Sequence, residues 1–186
     1  MELKNTVDLI LSELRYGLND KVIEQVETAA CQIISAKCIA CFGVGREGLM
    51  MKALAMRLYH LGLNAHVVGD MTTPALGAGD LLFLSAGPGN FSTTQALAIT
   101  AQDAGSKLLC ITATPSGGTP TLSDKVIYLP AQTMATDQNC KTNSVLPMGS
   151  LYEGLMFIFF EILVLKLSQN LAVSPELMRS RHTNLE

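Results

Sequence analysis

Five short apolar runs with helical patterns between them leave few folds open to this chain. The runs are Cys38–Phe42, Ala65–Val68, Leu81–Ser85, Leu108–Thr112 and Val126–Leu129. Helical periodicity falls between some of these runs, near residues 47–62 and 92–104. Strands that alternate with helices form parallel sheets, which are covered by helices on both faces. The sequence therefore predicts an α/β protein built on a parallel sheet.

Helical patterns also precede this alternating region. They cover about residues 2–15 and 20–36, and Asn19 or Asp20 can cap the second of them. The predicted buried face of the second helix is the repeat Val22, Val26, Ala29 and Ile33. Because the sequence has no linker, repeat or low-complexity tract, we predict one domain over residues 1–186.

The most apolar helical pattern runs from about Gly149 to Ser168. One stripe consists of Leu151, Leu155, Ile158, Ile162 and Leu165, and apolar residues fill the other sides. A helix that is apolar nearly all round is buried, so we expect burial in the core and in part between subunits. Ser174-Pro175 then predicts a short capped helix within a C-terminal segment of about residues 174–186.

Composition and charge argue against several kinds of partner. The formal net charge is −3 and no cluster of Lys and Arg stands out, so we expect no nucleic-acid binding. The longest apolar stretch is interrupted by Glu161 and is shorter than the ~20 residues of a membrane span, so we expect no membrane insertion. The first residues are mixed and polar, which is not the pattern of a secretory leader.

The cysteines predict neither a disulfide framework nor a metal site. They are Cys31, Cys38, Cys41, Cys110 and Cys140. Cys38 and Cys41 have CxxC spacing, but they lie on a predicted strand, and the sequence has no second such pair. We expect buried structural thiols, as in a protein of the reducing cytoplasm.

A glycine loop, Gly43-Val44-Gly45-Arg46-Glu47-Gly48, joins the first predicted strand to a helix. Such a turn presents backbone N–H groups and a helix N-terminus to an anion. Asp70, after the next strand, stands where a dinucleotide-binding protein has its ribose-binding acid. The loop is therefore compatible with a dinucleotide site, a sugar-phosphate site or a purely structural bend.

A second loop follows the strand predicted at Leu81–Ser85. It contains Gly87 and Gly89, and then the hydroxyls of Ser92, Thr93 and Thr94 at the start of a helix. Ligands of open α/β sheets gather at the carboxyl ends of strands, where two such loops can converge. The hydroxyls suit either phosphate binding or simple helix capping.

Long segments of the chain resemble a known family. They read GVGREGLMMKALAMRLYHLGLNAHVVGDMTTPALGAGDLL, LPMGSLYEGLMFIFFEILVLKL and, at the end, RHTNLE. With these segments in order over nearly its whole length, the chain resembles the sugar isomerase (SIS) domain family, and within it the 6-phospho-3-hexuloisomerases. The resemblance favours a sugar-phosphate site over a dinucleotide site.

The resemblance implies a fold, a reaction and partners. The fold is a three-layer α-β-α sandwich with a five-stranded parallel sheet, of flavodoxin-like type. The reaction interconverts 3-hexulose 6-phosphate and fructose 6-phosphate by proton transfer through an enediol(ate). The small-molecule partner would be a sugar phosphate, with no metal and no organic cofactor. The assembly would be a homodimer or homotetramer with sites at subunit interfaces.

Individual residues also acquire roles from the resemblance. Glu153 matches the family glutamate expected to act as the base, and a partly buried carboxylate with a raised pKa suits that task. His60 and His182 are candidates for ring opening or proton transfer, and the tail with His182 could close over a neighbouring subunit's site. The alternatives are a first-turn helix residue for Glu153 and a core residue for His60. Ligand contacts are expected at Gly45, Arg46, Glu47, Gly48, Ala86, Gly87, Gly89, Asn90, Ser92 and Thr93.

Both loops depart from the family pattern. The first usually reads Gly-x-Gly-Arg-Ser-Gly, and here Glu47 stands at the serine. The second usually reads Gly-Ser-Gly-Ser-Gly-Glu-Thr, and its last six positions are here Ala86, Gly87, Pro88, Gly89, Asn90 and Phe91. A carboxylate beside a phosphate repels it, unless Glu47 points away or pairs with Arg46 or Arg57. Two alternatives stay open: an inactive sugar-phosphate sensor, and an isomerase of a different sugar ligand.

Overall fold

A computed structural model of the chain describes residues 3–138 and 144–185. The helices are α1 (Leu3–Gly17), α2 (Asp20–Ser35), α3 (Gly45–His60), α4 (Ser92–Asp103), α5 (Gly118–Thr121), α6 (Ser150–Asn170) and α7 (Pro175–Ser180). The strands are β1 (Ile39–Phe42), β2 (Ala65–Val67), β3 (Leu81–Ser85), β4 (Lys107–Thr112) and β5 (Lys125–Tyr128). Each apolar run forms a strand whose ends differ from the prediction by at most one residue. Short helix α5 was not predicted, because four residues carry no periodicity.

The strands form one parallel sheet in the order β2-β1-β3-β4-β5. The register pairs Cys41 with Phe83 and Leu84 with Cys110. The predicted three-layer fold is confirmed, and its strand order is that of flavodoxin-like proteins. Because the chain reverses direction across the sheet between β1 and β3, the loops after these two strands meet at one edge. That switch point is where ligands of open sheets bind.

Alternate residues of the strands supply two cores. Ile39, Phe83 and Ile111 belong to the larger core, which α2, α3 and α6 cover. Leu82 and Leu84 face the smaller core under α4. Helix α2 is capped by Asn19, whose side chain accepts the N–H of Val22 at 3.3 Å. The buried face predicted for α2, at Val22, Val26, Ala29 and Ile33, is confirmed.

Helix α6 is buried on one side only. Its fully buried repeat includes Leu155, Phe159, Leu163 and Leu167. The predicted stripe is wrong at Leu165, which is 63% exposed, and Phe157 is exposed as well. A helix with apolar residues on all sides does not indicate which side packs against the sheet, so the phase could not be read from the pattern. None of the described helices is long and apolar enough to cross a membrane.

Three of the cysteines are buried as expected. Burial raises the pKa of the Cys41 and Cys110 thiols to about 12 each, and Cys38 is buried at the start of β1. The expectation is wrong for Cys31, which lies on the exposed side of α2. Cys140 lies outside the described residues.

Candidate functional site

Three segments enclose a cavity at the carboxyl edge of β1 and β3. They are the first turn of α3, the β3–α4 loop and the first turn of α6, joined by part of the segment after β5. The cavity has a volume of about 140 Å³. The side chains that matter chemically are those of Arg46, Glu47, Phe91, Thr133, Tyr152 and Glu153.

The first glycine loop is a tight bend whose glycines have separate functions. A Cβ atom on Gly48 would lie 2.5 Å from the carbonyl oxygen of Gly43, so helix and loop backbones touch there. Gly45 has a φ of +59°, which favours glycine, and has open space around it. The bend therefore places Arg46 and Glu47 in the first turn of α3, with Arg46 exposed and Glu47 buried.

Arg46 reaches across the cavity to the N-terminus of α6. Its Nη2 lies 2.9 Å from Oε2 of Glu153 and also donates to the carbonyl oxygen of Met148. Its Nη1 donates to Oγ of Ser150 at 2.8 Å. The guanidinium thus ties α3 to α6 and places a positive charge beside the predicted base.

Glu153 lies in the first turn of α6, with 17% of its side chain exposed. Burial raises the pKa of this carboxyl group, Arg46 lowers it, and the nearby Glu47 raises it. A carboxylate with a raised pKa accepts a proton near neutral pH more readily than an ordinary glutamate does. The neighbouring guanidinium can stabilise negative charge that develops on a substrate oxygen. Together they suit proton transfer at a carbon next to a carbonyl group.

Glu47 faces inward and is 7% exposed. Its Oε2 accepts hydrogen bonds from Oγ of Ser85 at 2.7 Å and from the backbone N–H of Gly87 at 2.9 Å. The alternatives that it points away or pairs with an arginine are wrong. Arg46 pairs with Glu153 as above, and Arg57 pairs with Glu161 at 3.3 Å. The carboxylate of Glu47 is therefore an internal component of the β3–α4 loop.

A buried polar network surrounds Glu47. Because Ser85 donates its hydrogen to Glu47, the hydroxyl of Tyr152 is the donor in its 3.3 Å bond to Ser85. Burial raises the pKa of Glu47, and its two hydrogen bonds partly oppose that rise. Burial also raises the pKa of Tyr152 well above its usual range, and the charge of Glu47 adds to the effect.

The β3–α4 loop is held by backbone contacts with the segment that follows β4. Gly89 has a φ of +83°, and a Cβ atom there would lie 2.7 Å from the carbonyl oxygen of Thr114. Its carbonyl oxygen accepts the N–H of Thr119 at 3.1 Å, and that of Gly87 accepts the N–H of Ala113 at 3.0 Å. These contacts anchor the loop to the neighbouring segment at Gly87 and Gly89.

Predicted ligand residues of this loop divide into an inner and an outer group. Ala86 is fully buried, and Gly87 donates its N–H to Glu47. Asn90, Ser92 and Thr93 are exposed. We call these three residues the outer rim. Phe91, from the same loop, lines the cavity itself.

His60 and His182 lie together but far from Glu153 within one chain. Their rings stack with centroids 5.3 Å apart, and Nη1 of Arg181 donates to the carbonyl oxygen of His60 at 2.9 Å. His60 is the last residue of α3, about 20 Å along the helix from Arg46. A catalytic role for either histidine therefore requires a second subunit and stays a prediction.

The segment after β5 supplies cavity residues that the sequence analysis missed. Thr133 is buried, and its Oγ1 has no hydrogen-bond partner in the described part of the chain. Tyr152, Ser85 and Met148 were not among the predicted site residues either. For Thr133 and Met148 a signal was available, because the carboxyl-edge rule that picked out the loops after β1 and β3 applies equally to the segment after β5.

Other candidate sites, for a metal, a dinucleotide or a second ligand, have fewer suitable side chains than this cavity. Among residues 3–138 and 144–185, no three His, Cys, Asp or Glu side chains converge as metal ligands would. Asp70, the acid of the dinucleotide alternative, lies in an exposed turn after β2. A larger cleft of about 620 Å³ lies between α1 and the segment after β5. Its acid, Glu13, already accepts hydrogen bonds from Ser144 and from the N–H of Val145.

The sequence and structure match known proteins over nearly their whole length. A family model described as the SIS domain matches residues 32–157. The 3-hexulose-6-phosphate isomerase of Mycobacterium gastri is 35% identical over 185 residues, which cover 100% of this chain and 92% of the relative. The protein of that name from Bacillus subtilis (strain 168) is 34% identical, and the match covers 95% of each chain.

A solved structure shares the same architecture. It is that of a hypothetical protein from Methanococcus jannaschii, and the molecular function inferred from it is 3-hexulose-6-phosphate isomerase. It superimposes with a TM-score of 0.84 and 28% sequence identity, covering 97% of this chain and 98% of the other.

Proposed function

Because this chain belongs to the SIS domain family, we propose that it is a phosphosugar isomerase that interconverts 3-hexulose 6-phosphate and fructose 6-phosphate. Relatives of that name align over nearly their full length, which supports a shared reaction and not only a shared domain. The observation that carries the proposal is the Glu153 carboxylate, shielded in the cavity and 2.9 Å from the Arg46 guanidinium.

Glu153 is the base in this proposal. The two sugars differ in whether C3 or C2 carries the carbonyl group, so the reaction moves one proton between these carbons. Glu153 takes the proton from C2 of the 3-hexulose, and the electrons of that C–H bond form the C2–C3 double bond of an enediol(ate). The negative charge gathers on the former carbonyl oxygen, where Arg46 stabilises it. Return of the proton to C3 and transfer of a proton between the oxygens complete the exchange.

The phosphate end is held at the outer rim in this proposal. Ser92 and Thr93 expose their hydroxyls at the first turn of α4, and Asn90 is exposed beside them. Hydroxyl and amide donors at a helix N-terminus suit a phosphate group. Arg46 contributes a positive charge on the cavity side.

The site is shared between subunits in this proposal, in a homodimer or homotetramer. The paired rings of His60 and His182 lie too far from Glu153 to serve the same chain's site, so they would serve a neighbour's. Exposed apolar residues of α6 supply a surface for that contact. A cytoplasmic location completes the proposal, because free buried thiols suit a reducing compartment.

The decisive experiment is deuterium incorporation into fructose 6-phosphate, followed by NMR in deuterium oxide. The wild type is expected to exchange the proton at C3. Glu153→Gln is expected to slow the exchange by about 10²–10⁴-fold while still binding the sugar, because the base is lost but the shape is kept. Glu161→Gln removes the same charge from the same helix away from the cavity and serves as the matched control.

Two results would count against the proposal. Equal exchange by the wild type and Glu153→Gln would mean that another group is the base. Ligand-induced shifts without any exchange would favour the alternative of a sugar-phosphate sensor.

A further inference from the structure

Glu47 uses the hydrogen-bond donors with which the inner part of the β3–α4 loop could bind an anion. One oxygen, Oε2, accepts both the N–H of Gly87 and the O–H of Ser85. A backbone N–H and a hydroxyl that converge on one point are a typical pair of donors for a bound anion. In this chain the anion at that point is the protein's own carboxylate.

No space is left between the loop and this carboxylate. A Cβ atom added to Gly87 would lie 2.8 Å from Oε1 of Glu47 and 2.8 Å from Cε1 of Tyr152. A group as large as a phosphate therefore cannot insert beside Gly87 unless Glu47 moves away. Movement of Glu47 would also break its 2.7 Å hydrogen bond with the buried hydroxyl of Ser85.

The charges of the cavity also disfavour a second anion. Two carboxylates, Glu47 and Glu153, line it together with one cation, Arg46. All the hydrogen bonds described for the Arg46 guanidinium already go to Glu153, Ser150 and Met148. The net negative charge of these side chains would repel an entering dianion, and the low dielectric constant of the cavity strengthens that repulsion. Sugar hydroxyls, by contrast, would find carboxylate oxygens as hydrogen-bond acceptors.

We propose that Glu47 is a specificity-determining residue: it excludes phosphate from the inner cavity, so that the sugar enters with its hydroxyl end first and its phosphate stays outside. This inference rests on the proposed function for the identity of the ligand. It deepens that function by naming the residue that keeps the phosphate end away from Glu153. It also accounts for a glutamate at this position of the glycine loop.

A purely structural role for Glu47 makes a different prediction. If its carboxylate only pins the β3–α4 loop, then removing the charge changes stability and leaves anion affinity unchanged. If it excludes phosphate, removing the charge raises anion affinity even in a slightly less stable protein. Direct binding of inorganic phosphate distinguishes these roles without any need for turnover.

The test is a calorimetric titration of the full chain with inorganic phosphate. Glu47→Ser removes the charge, empties the space beside Gly87 and frees its N–H, and it is expected to bind phosphate at least about tenfold more tightly than the wild type. Glu47→Gln removes the charge but keeps the volume and an acceptor oxygen, so it is expected to gain less than Glu47→Ser. The control Glu161→Gln removes an equal charge outside the cavity and should match the wild type.

Unchanged phosphate affinity in the folded Glu47 variants would overturn the proposal. A gain of the same size in Glu161→Gln would overturn it too, because the effect would then come from net charge alone. Thermal unfolding establishes which variants are folded.

The wild type supplies an independent measurement. Fructose 1,6-bisphosphate carries a second phosphate at the end that enters the cavity, so the wild type should bind it at least about tenfold more weakly than fructose 6-phosphate. Equal affinity for the two sugars would overturn the proposal. Should neither sugar bind, the proposed function fails, while the phosphate titrations still decide the role of Glu47.

Discussion

At the scale of single residues, Glu47 and Thr133 line the same cavity but differ in whether their polar atoms have hydrogen-bond partners. Both donors that Glu47 faces are satisfied, whereas Oγ1 of Thr133 is buried without a partner in the described part of the chain. A buried polar group without a partner lowers the stability of the fold. Such a group in a cavity beside a proposed base is a candidate ligand contact.

Thr133→Val is expected to raise the free energy of unfolding by about 1 kcal/mol, because valine keeps the shape and removes the unpaired hydroxyl. The matched control is Thr94→Val. Thr94 is also buried, but its hydroxyl bonds to Oγ1 of Thr119 at 2.8 Å, so the same change should cost about 1 kcal/mol. Urea denaturation at one fixed protein concentration measures both values. A loss of stability in both variants would show that the Thr133 hydroxyl has a partner.

At the scale of elements, the bend from β1 into α3 depends on contact between two stretches of backbone. A Cβ atom on Gly48 would lie 2.5 Å from the carbonyl oxygen of Gly43. Backbone cannot move aside as the end of a side chain can. The position of Arg46 and Glu47 at the cavity therefore depends on this glycine.

Gly48→Ala is expected to lower the free energy of unfolding by about 1–3 kcal/mol, the usual cost of overpacking. Gly154→Ala is the control, since Gly154 is also a helix glycine. The nearest atom to its added Cβ, at 3.1 Å, belongs to the flexible end of Leu14. Alanine should there be neutral or stabilising, because it favours the helix by up to about 1 kcal/mol. Thermal unfolding compares the two, and equal midpoints would contradict the packing argument.

Some features of the strands and helices could be predicted from the sequence, and others could not. Strands β1 and β3 were predictable because a run of buried apolar residues is visible locally in the sequence. The buried side of α6 was not predictable, because a helix with apolar residues on all sides does not show which side packs. The neighbouring elements of the fold determine that side. The direction of Glu47 was equally hidden, because it depends on Ser85, 38 positions away. The cavity around Glu153 was predictable only in part. Arg46 and Glu153 were predicted as site residues, and the carboxyl-edge rule could have added Thr133, whereas the place of Tyr152 required the folded chain.

At the scale of the whole molecule, the exposed side of α6 connects the cavity with the proposed assembly. Phe157 follows Glu153 by one helical turn, so both lie on the same side of the helix. Phe157 is 52% exposed, so its side chain offers an apolar surface to a neighbouring subunit. A subunit packed against Phe157 would also border the cavity.

Phe157→Glu is expected to convert the protein to a smaller species, because a charge buried in an apolar contact has no compensating partner. Ile99→Glu is the matched control, since Ile99 on α4 is 50% exposed on the opposite face of the sheet. Sedimentation velocity measures the mass of each variant at equal concentration. An unchanged mass for Phe157→Glu would exclude this side of α6 as the subunit contact.

The hydrogen bond between Glu47 and Ser85 has an evolutionary consequence for the molecule. A lineage that replaced the glutamate alone would leave the buried N–H of Gly87 without its acceptor, at about 1–3 kcal/mol, and would break the bond to the Ser85 hydroxyl. That cost is noticeable beside the roughly 5–15 kcal/mol that holds a typical domain folded. The two side chains are thus energetically coupled, so a change of Glu47 favours a compensating change of Ser85.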